Sequence, residues 1–253
     1  MAKTAEPTPR KGAKPGPKPG AKAAQALPQP GLIRRGLRWL ARGVLGVTAF
    51  YLALILLYTF VNPPTDPYIF AESRRLGGVE RQWVPLEAMA PDLARSVVAA
   101  EDANFCLHWG FDMVAIRQAL DEGGGRGAST ISQQVVKNVF LWQGRSWLRK
   151  AMEATLTPVV ELVWTKRRII EVYLNVAEFG EGVFGAEAAA QHHFRLTAAE
   201  LTATQSSRLA AVLPDPKGRD AANPSSFVRK RAAAARDGAE TILADGRSAC
   251  FED

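Results

Sequence analysis

Residues 43–61 (GVLGVTAFYLALILLYTFV) run for nineteen positions without a charge. At ~1.5 Å per residue, a helix of that length crosses most of a ~30 Å hydrocarbon core. The alternative is a cleavable leader, whose apolar region is usually ~7–15 residues followed by a small-residue cleavage site. Here the run is longer, lies behind 42 residues of chain and ends in Asn62-Pro63-Pro64, which breaks a helix. An uncleaved transmembrane helix is therefore expected over 43–61. Trp39, Tyr51 and Tyr58 supply aromatics, two of them near its ends.

Charge sets the orientation. Of 32 Lys/Arg and 25 Asp/Glu, residues 1–42 hold ten and one, leaving 22 and 24 for the rest of the chain. The basic pI belongs to this tail and says little about the folded part. All ten positives precede the span, so the tail is expected in the cytoplasm and residues 62–253 outside. Within 1–42, the stretch TPRKGAKPGPKPGAKAAQALPQPG is Pro-, Gly-, Ala- and Lys-rich with almost nothing to bury, so the tail reads as disordered. Such a tail could touch nucleic acid or anionic lipid. A topological role is the simpler reading, and no nucleic-acid partner is expected.

The 192 residues of 62–253 are enough for one ordinary domain. Helical spacing dominates after Pro85. Helices are predicted over 91–102, over 112–120 with Asp112 as N-cap, and from a Thr130/Gln133 capping box to about Phe140. Further helices are predicted over 147–164 with a kink at Pro158, and over 166–175, 185–193, 197–211 and 227–244. Only 78–84 looks strand-like, no repeat is found, and 121–128 reads as a flexible loop. The fold class is thus mainly α. Cys106 and Cys250 could pair in an oxidising compartment, but their distance in sequence argues for nothing, and a half-buried free thiol at Cys106 is the expectation.

The chemistry-bearing positions concentrate in EDANFCLHWGFDMVAIRQALDEGGGRGASTISQQVVKN, residues 101–138. Glu101 and Asp102 end an apolar helix, where the dipole disfavours negative charge by ~0.3–1 kcal/mol. Nearby Phe105, Trp109 and Phe111 would desolvate a carboxylate, raise its pKa and suit it to general-base work. On local sequence alone, two solvated acids closing a helix is the stronger reading. His108 reads as a structural histidine turning the chain into Gly110, since no metal cluster is spelled out. In TISQQVVKN, Gln133, Gln134 and Lys137 are assigned to one face behind a capped helix start, an arrangement that can converge on an anion. A well-capped surface helix competes with that. Arg145, Arg149 and Lys150 crowd the next helix start with Glu153 four residues after Arg149, either a plain ion pair or a cationic cradle that Glu153 orients. Phe140, Leu141, Trp142 and Trp147 interleave with these cations. They could meet a membrane interface or pack in the core.

Together these blocks resemble the family 51 glycosyltransferases, the peptidoglycan glycosyltransferases. E-D-x-x-F-x-x-H-x-G-F-D is matched by Glu101, Asp102, Phe105, His108, Gly110, Phe111 and Asp112. G-x-S-T-I-x-Q-Q with a following K-N is matched by Gly127, Ser129, Thr130, Ile131, Gln133, Gln134, Lys137 and Asn138. R-K-x-x-E with a second Glu is matched by Arg149, Lys150, Glu153 and Glu161. K-x-x-I-x-x-x-Y-L-N follows at Lys166, Ile169, Tyr173, Leu174 and Asn175, and G-x-G-x-x-G with trailing Ala-Ala at Gly180, Gly182, Gly185, Ala188 and Ala189. Ala128, Thr157, His193 and Cys106 depart from the usual residues, and no charged motif residue is lost.

The resemblance implies a lysozyme-like glycosyltransferase domain behind a single N-terminal transmembrane helix at the bacterial cytoplasmic membrane, with its catalytic domain in the periplasm. It implies polymerisation of lipid II onto a lipid-linked glycan strand, with inversion to a β-1,4 linkage. Glu101 would be the general base and Glu153 the second catalytic carboxylate. Lys137, Arg145, Arg149 and Lys150, with Gln133, Gln134, Ser129, Thr130 and Asn138, would hold the pyrophosphate, supported by Asp102, Phe105, His108 and Gly110. No cofactor is obligatory by this analogy, although Mg²⁺ or Mn²⁺ could assist, and other wall-synthesis or division proteins are candidate partners. S-x-x-K and K-T-G are both absent, so transpeptidase equipment is not expected. A lysozyme-like lytic enzyme and a non-catalytic membrane-anchored partner are the alternatives.

Overall fold

The structure is a computed structural model, and it describes residues 1, 2, 12, 16, 31–123 and 127–252. The disorder expected of the tail over 3–11, 13–15 and 17–30, and the centre of the 121–128 loop, lie outside those residues. The chain divides into two units, Met1–Gly46 and Val47–Asp253.

Helix α1 (Leu32–Tyr58) begins eleven residues before the uncharged run. Residues 32–42 are therefore helical, which moves the boundary expected at 42. The apolar stretch Ile33–Tyr58 is long enough to cross a bilayer, with mean hydropathy 2.0. In the first unit the described α1 side chains are exposed. In the second, the last turns of α1 belong to the domain. Ile55 is fully buried, its carbonyl accepts from the Trp164 indole at 2.8 Å, and the Tyr58 and Phe140 rings lie 6.0 Å apart.

The rest of the second unit is mainly helical, as expected. Helix α2 (Pro67–Leu76), which the sequence reading did not include, carries clear stop and start signals. Asp66 caps the Tyr68 and Ile69 amides, Pro67 opens the helix and Gly77 closes it in left-handed geometry. Then come α3 (Pro91–Glu101), α4 (Met113–Asp121), α5 (Ile131–Phe140), α6 (Trp147–Val163), α7 (Lys166–Val176) and α8 (Ala186–Phe194). Asp112 caps α4 and the Thr130/Gln133 box opens α5, both as read from sequence. Pro158 lies inside α6.

The helix expected over 197–211 is two elements. A 3₁₀ turn at Ala198–Glu200 is followed by extended Leu201 and then α9 (Ala203–Val212). Thr197 with Glu200 and Thr202 with Gln205 are two complete capping boxes, and the second restarts the helix. α10 (Ser226–Ala244) and the short α11 (Ala249–Glu252) complete the order.

The strand reading was incomplete. Glu80–Arg81 (β1) joins Glu178–Gly180 (β2) and Val183–Phe184 (β3) in a three-stranded sheet ordered β1-β3-β2. β1 pairs with β3 in parallel and β2 pairs with it antiparallel. Strands of two or three residues show no alternation to detect. Asn175 ties the segment after β1 to α7, accepting from the Val84 amide at 2.9 Å and donating to the Val84 carbonyl at 2.9 Å.

The free-thiol expectation for Cys106 is overturned, because Cys106 and Cys250 form a disulfide. Helix α10 packs along α3, and α11 folds back onto the turn that follows α3. That long-range packing brings together residues 144 positions apart.

Candidate active site

Three helix ends build the site. α3 delivers Glu101 and Asp102, the start of α5 faces them, and α7 supplies a buried tyrosine behind both. Asp102 is buried and is not one of two solvated acids. Its Oδ2 accepts from the Ile131 amide at 3.0 Å, a free donor in the first turn of α5. Its Oδ1 lies 2.8 Å from His108 Nε2. The Gly110 amide donates to His108 Nδ1 at 3.1 Å, so the ring proton sits on Nε2 and is given to Asp102. The structural reading of His108 holds.

The Lys166 ammonium donates to the His108 carbonyl and to Glu161, each at 2.8 Å. It also lies 4.4 Å from the centre of the buried Phe105 ring. Ser132 donates to the same Glu161 oxygen. This network fixes the turn between Glu101 and α4 and includes Asp102, Phe105, His108 and Gly110. At Gly110 the backbone has φ +88°, and an added Cβ would lie 2.5 Å from Thr157 Cγ2 and 3.2 Å from Glu161 Cγ. Thr157 cannot easily turn away, because its hydroxyl donates to the Glu153 carbonyl at 2.7 Å. Gly110→Ala is expected to destabilise the fold by ~2–5 kcal/mol, combining ~1–2 for left-handed backbone with ~1–3 for overpacking. Denaturant midpoints measure this.

Glu101 is half-buried and differently placed. Gln134 Nε2 donates to its Oε2 at 2.9 Å, and the Tyr173 hydroxyl donates to Gln134 Oε1 at 3.2 Å. The buried tyrosine thus fixes which way the amide points. Burial pushes the Glu101 carboxyl above its usual range, partly opposed by Gln134, Arg231 on α10 and Lys137. The carboxylate lines a cleft of about 280 Å³ whose walls include Asn104, Gln118, Gly127, Ser129 and Thr130. Gln134, Lys137, Asn138, Gln143 and Tyr173 line a second cleft of about 160 Å³, together with Tyr68 and Glu178. The Glu101–Gln134 hydrogen bond joins the walls of the two.

Lys137 is also half-buried. Burial lowers its pKa, while Glu153 and Glu101 pull it up and Arg149 and Lys150 push it down. No described residue accepts a hydrogen bond from its ammonium. Glu153 is 2 % exposed. One of its oxygens accepts from Arg149 Nη1 at 2.6 Å and the other from the Lys150 ammonium. Its place is to hold these two cations. Arg145 is exposed and lines a surface cleft with Ser146, Trp147, Arg149 and Lys150.

Gln133 does not share the face assigned to it. Its Oε1 accepts from the Thr130 amide at 3.0 Å in the capping box, and the residue is buried. Thr130 is likewise committed, donating to the Gly110 carbonyl at 2.7 Å. Asn138 is buried and accepts from Gln143 at 3.2 Å, while Ser129 lies exposed on the first cleft. Phe140 and Leu141 are core residues, but Trp142 and Trp147 are exposed, Trp147 by 92 %. Arg231, Tyr68 and Glu178 were absent from the candidate residues. Nothing local marks them, since each reaches the site from a distant segment.

A desolvated carboxylate beside a half-buried ammonium with no carboxylate in hydrogen-bond reach, both opening on clefts, marks this as the candidate active site. The match to the Transgly (transglycosylase) family model spans residues 70–240, and the chain belongs to that family. It is 64% identical over 214 residues to the biosynthetic peptidoglycan transglycosylase of Jannaschia sp. (strain CCS1), covering 85% of this chain and 90% of that one. It is 45% identical over 227 residues to the protein of the same name from Rhodospirillum centenum, covering 88% and 98%. With that of Stutzerimonas stutzeri the identity is 50% over 212 residues, covering 80% and 88%.

Proposed function

We propose that this chain is a biosynthetic peptidoglycan transglycosylase that polymerises lipid II into β-1,4-linked glycan strands. The observation that carries the proposal is Glu101, a carboxylate desolvated by its surroundings and aimed by the Tyr173–Gln134 relay. In this reading Glu101 takes the proton from the C4 hydroxyl of the acceptor sugar. The freed oxygen forms its bond to C1 of the growing chain, and the bond from C1 to undecaprenyl pyrophosphate breaks with its electron pair on the leaving group. Attack opposite the leaving group inverts the anomeric centre.

Lys137 faces the developing pyrophosphate charge, with Arg149 and Lys150 held nearby by Glu153 and Arg145 on the exposed rim. An ammonium with no carboxylate in hydrogen-bond reach is the form in which such a charge contributes most to a transition state. Glu153 has no oxygen left open for a divalent ion, since both are taken by cations, and among the described residues no group of three His, Cys, Asp or Glu side chains converges on a point. α1 is consistent with a membrane anchor, and the proposed topology puts the tail inside and the domain outside, beside the lipid-borne substrate.

Incubating the full chain with lipid II should give lengthening glycan. Fragment release from finished peptidoglycan, without lengthening, would sink the proposal. The pH profile carries a further expectation. Activity requires ionised Glu101, and burial holds its proton to higher pH than usual. The acid limb of kcat/KM should therefore fall above the ordinary glutamate range of about 4.3. An acid limb at or below that value would contradict the assignment.

A further inference from the structure

The turn that follows Glu101 is gripped from behind by residues 245–252, which lie beyond the family match at 70–240. Cys106 sits within that turn, at Phe105–Leu107, and is bonded to Cys250 of α11. The disulfide has company. Arg247 donates to the Ala103 carbonyl at 3.0 Å, and the buried Phe251 ring lies 6.3 Å from Phe105. Arg95 of α3 pairs with Glu252, and Arg167 of α7 donates to the Phe251 carbonyl at 3.2 Å. α3, the turn and α7 therefore all hold one short segment.

The same turn begins at Asp102 and ends at His108, and its Ala103 and Asn104 wall the cleft beside Glu101. Asp102 ties it to the first amide of α5, the helix that carries Gln134 and Lys137. A shift of the turn would change the register between Glu101 and the groups that aim it. We propose that the Cys106–Cys250 bridge and α11 form a positioning clasp for the Glu101 carboxylate. The bland alternative is a staple that stabilises the fold by constraining the unfolded chain, which would affect melting alone. The point of attachment separates the two, because the bridge meets the chain five residues from Glu101 and not on a remote surface loop.

The test uses the full chain in detergent, well below its melting temperature, with lipid II as substrate. Dithiothreitol reduces the bridge, the two sulfurs taking up two electrons and two protons as the dithiol closes to its own disulfide. The clasp predicts that kcat falls by ~10-fold or more while KM changes little, since ~1 Å of misplacement at a reacting group costs on the order of 10²-fold. Reoxidation should restore kcat, and Cys250→Ser should reproduce the loss. Where the serine variant fails to fold, reversible reduction of the folded protein makes the same measurement. Unchanged kcat with a lowered melting temperature would reduce the bridge to a staple, and free thiols in the native exported protein would remove the clasp outright. The inference rests on Glu101 as the reacting base. Wild-type turnover in Glu101→Gln would remove that reading, whereas unchanged turnover on reduction removes the clasp alone.

Discussion

Glu101→Gln is expected to lower lipid II polymerisation by ~10²–10⁴-fold, the range a positioned general base contributes. The melting temperature should stay level or rise. The amide keeps an oxygen to accept from Gln134 and nearly the same volume, so the local packing survives. The sign of the stability effect follows from linkage. Burial raises the Glu101 pKa in the folded state above its unfolded value. Any stability tied to this group is present at low pH and is lost as pH rises from the unfolded value through the folded one. At neutral pH the ionised side chain is therefore a cost to folding, and a neutral amide removes it. Turnover on labelled lipid II and a thermal melt of the same preparation decide the matter. Wild-type turnover would refute the base assignment, and a large fall in melting temperature would expose the loss as unfolding.

What the sequence could show about this site depended on how far apart the partners lie. The Thr130/Gln133 box and the Asp112 cap are relations within four residues, and both were readable. The Asp66-Pro67 start and Gly77 stop of α2 are signals of the same kind and equally readable. Helical spacing alone predicts one helix over 197–211, across both Thr197/Glu200 and Thr202/Gln205. Two boxes five residues apart in fact require the chain to stop and restart.

The adjacent glutamines show the limit of face arguments. Gln133 and Gln134 both lie near Lys137 in helical projection, yet an N3 glutamine folds back onto its own cap while its neighbour points across to Glu101. The relay from Tyr173 through Gln134 to Glu101 spans α7, α5 and α3, and the Cys106–Cys250 pairing spans 144 positions. Such relations are set by tertiary packing, so no local pattern announces them. The mostly helical class and the membrane-length helix rest on periodicity and run length, and both were legible.

Lys137→Met is expected to reduce kcat by ~10²–10³-fold, the loss typical when one pre-placed stabiliser of developing charge is removed. It should not destabilise the protein. Burial lowers the Lys137 pKa, and among the described residues its ammonium has no hydrogen-bond acceptor. A lysine with a depressed folded pKa gives up stability as pH falls through that range, because the folded state resists the proton that the unfolded chain accepts. At neutral pH the charge is held at a cost, and Met keeps the apolar stem without it. Arg149 and Lys150 do not offer so clean a test. Removing either takes a partner from the 2 % exposed Glu153, and leaving a buried carboxylate short of a charged donor is itself destabilising. Activity lost there would be entangled with unfolding, whereas at Lys137 the two readouts are expected to move in opposite directions. Unchanged turnover together with unchanged lipid II affinity would exclude Lys137 from the pyrophosphate site. A destabilised variant would mean that its charge is balanced by partners closer than Glu153 and Glu101.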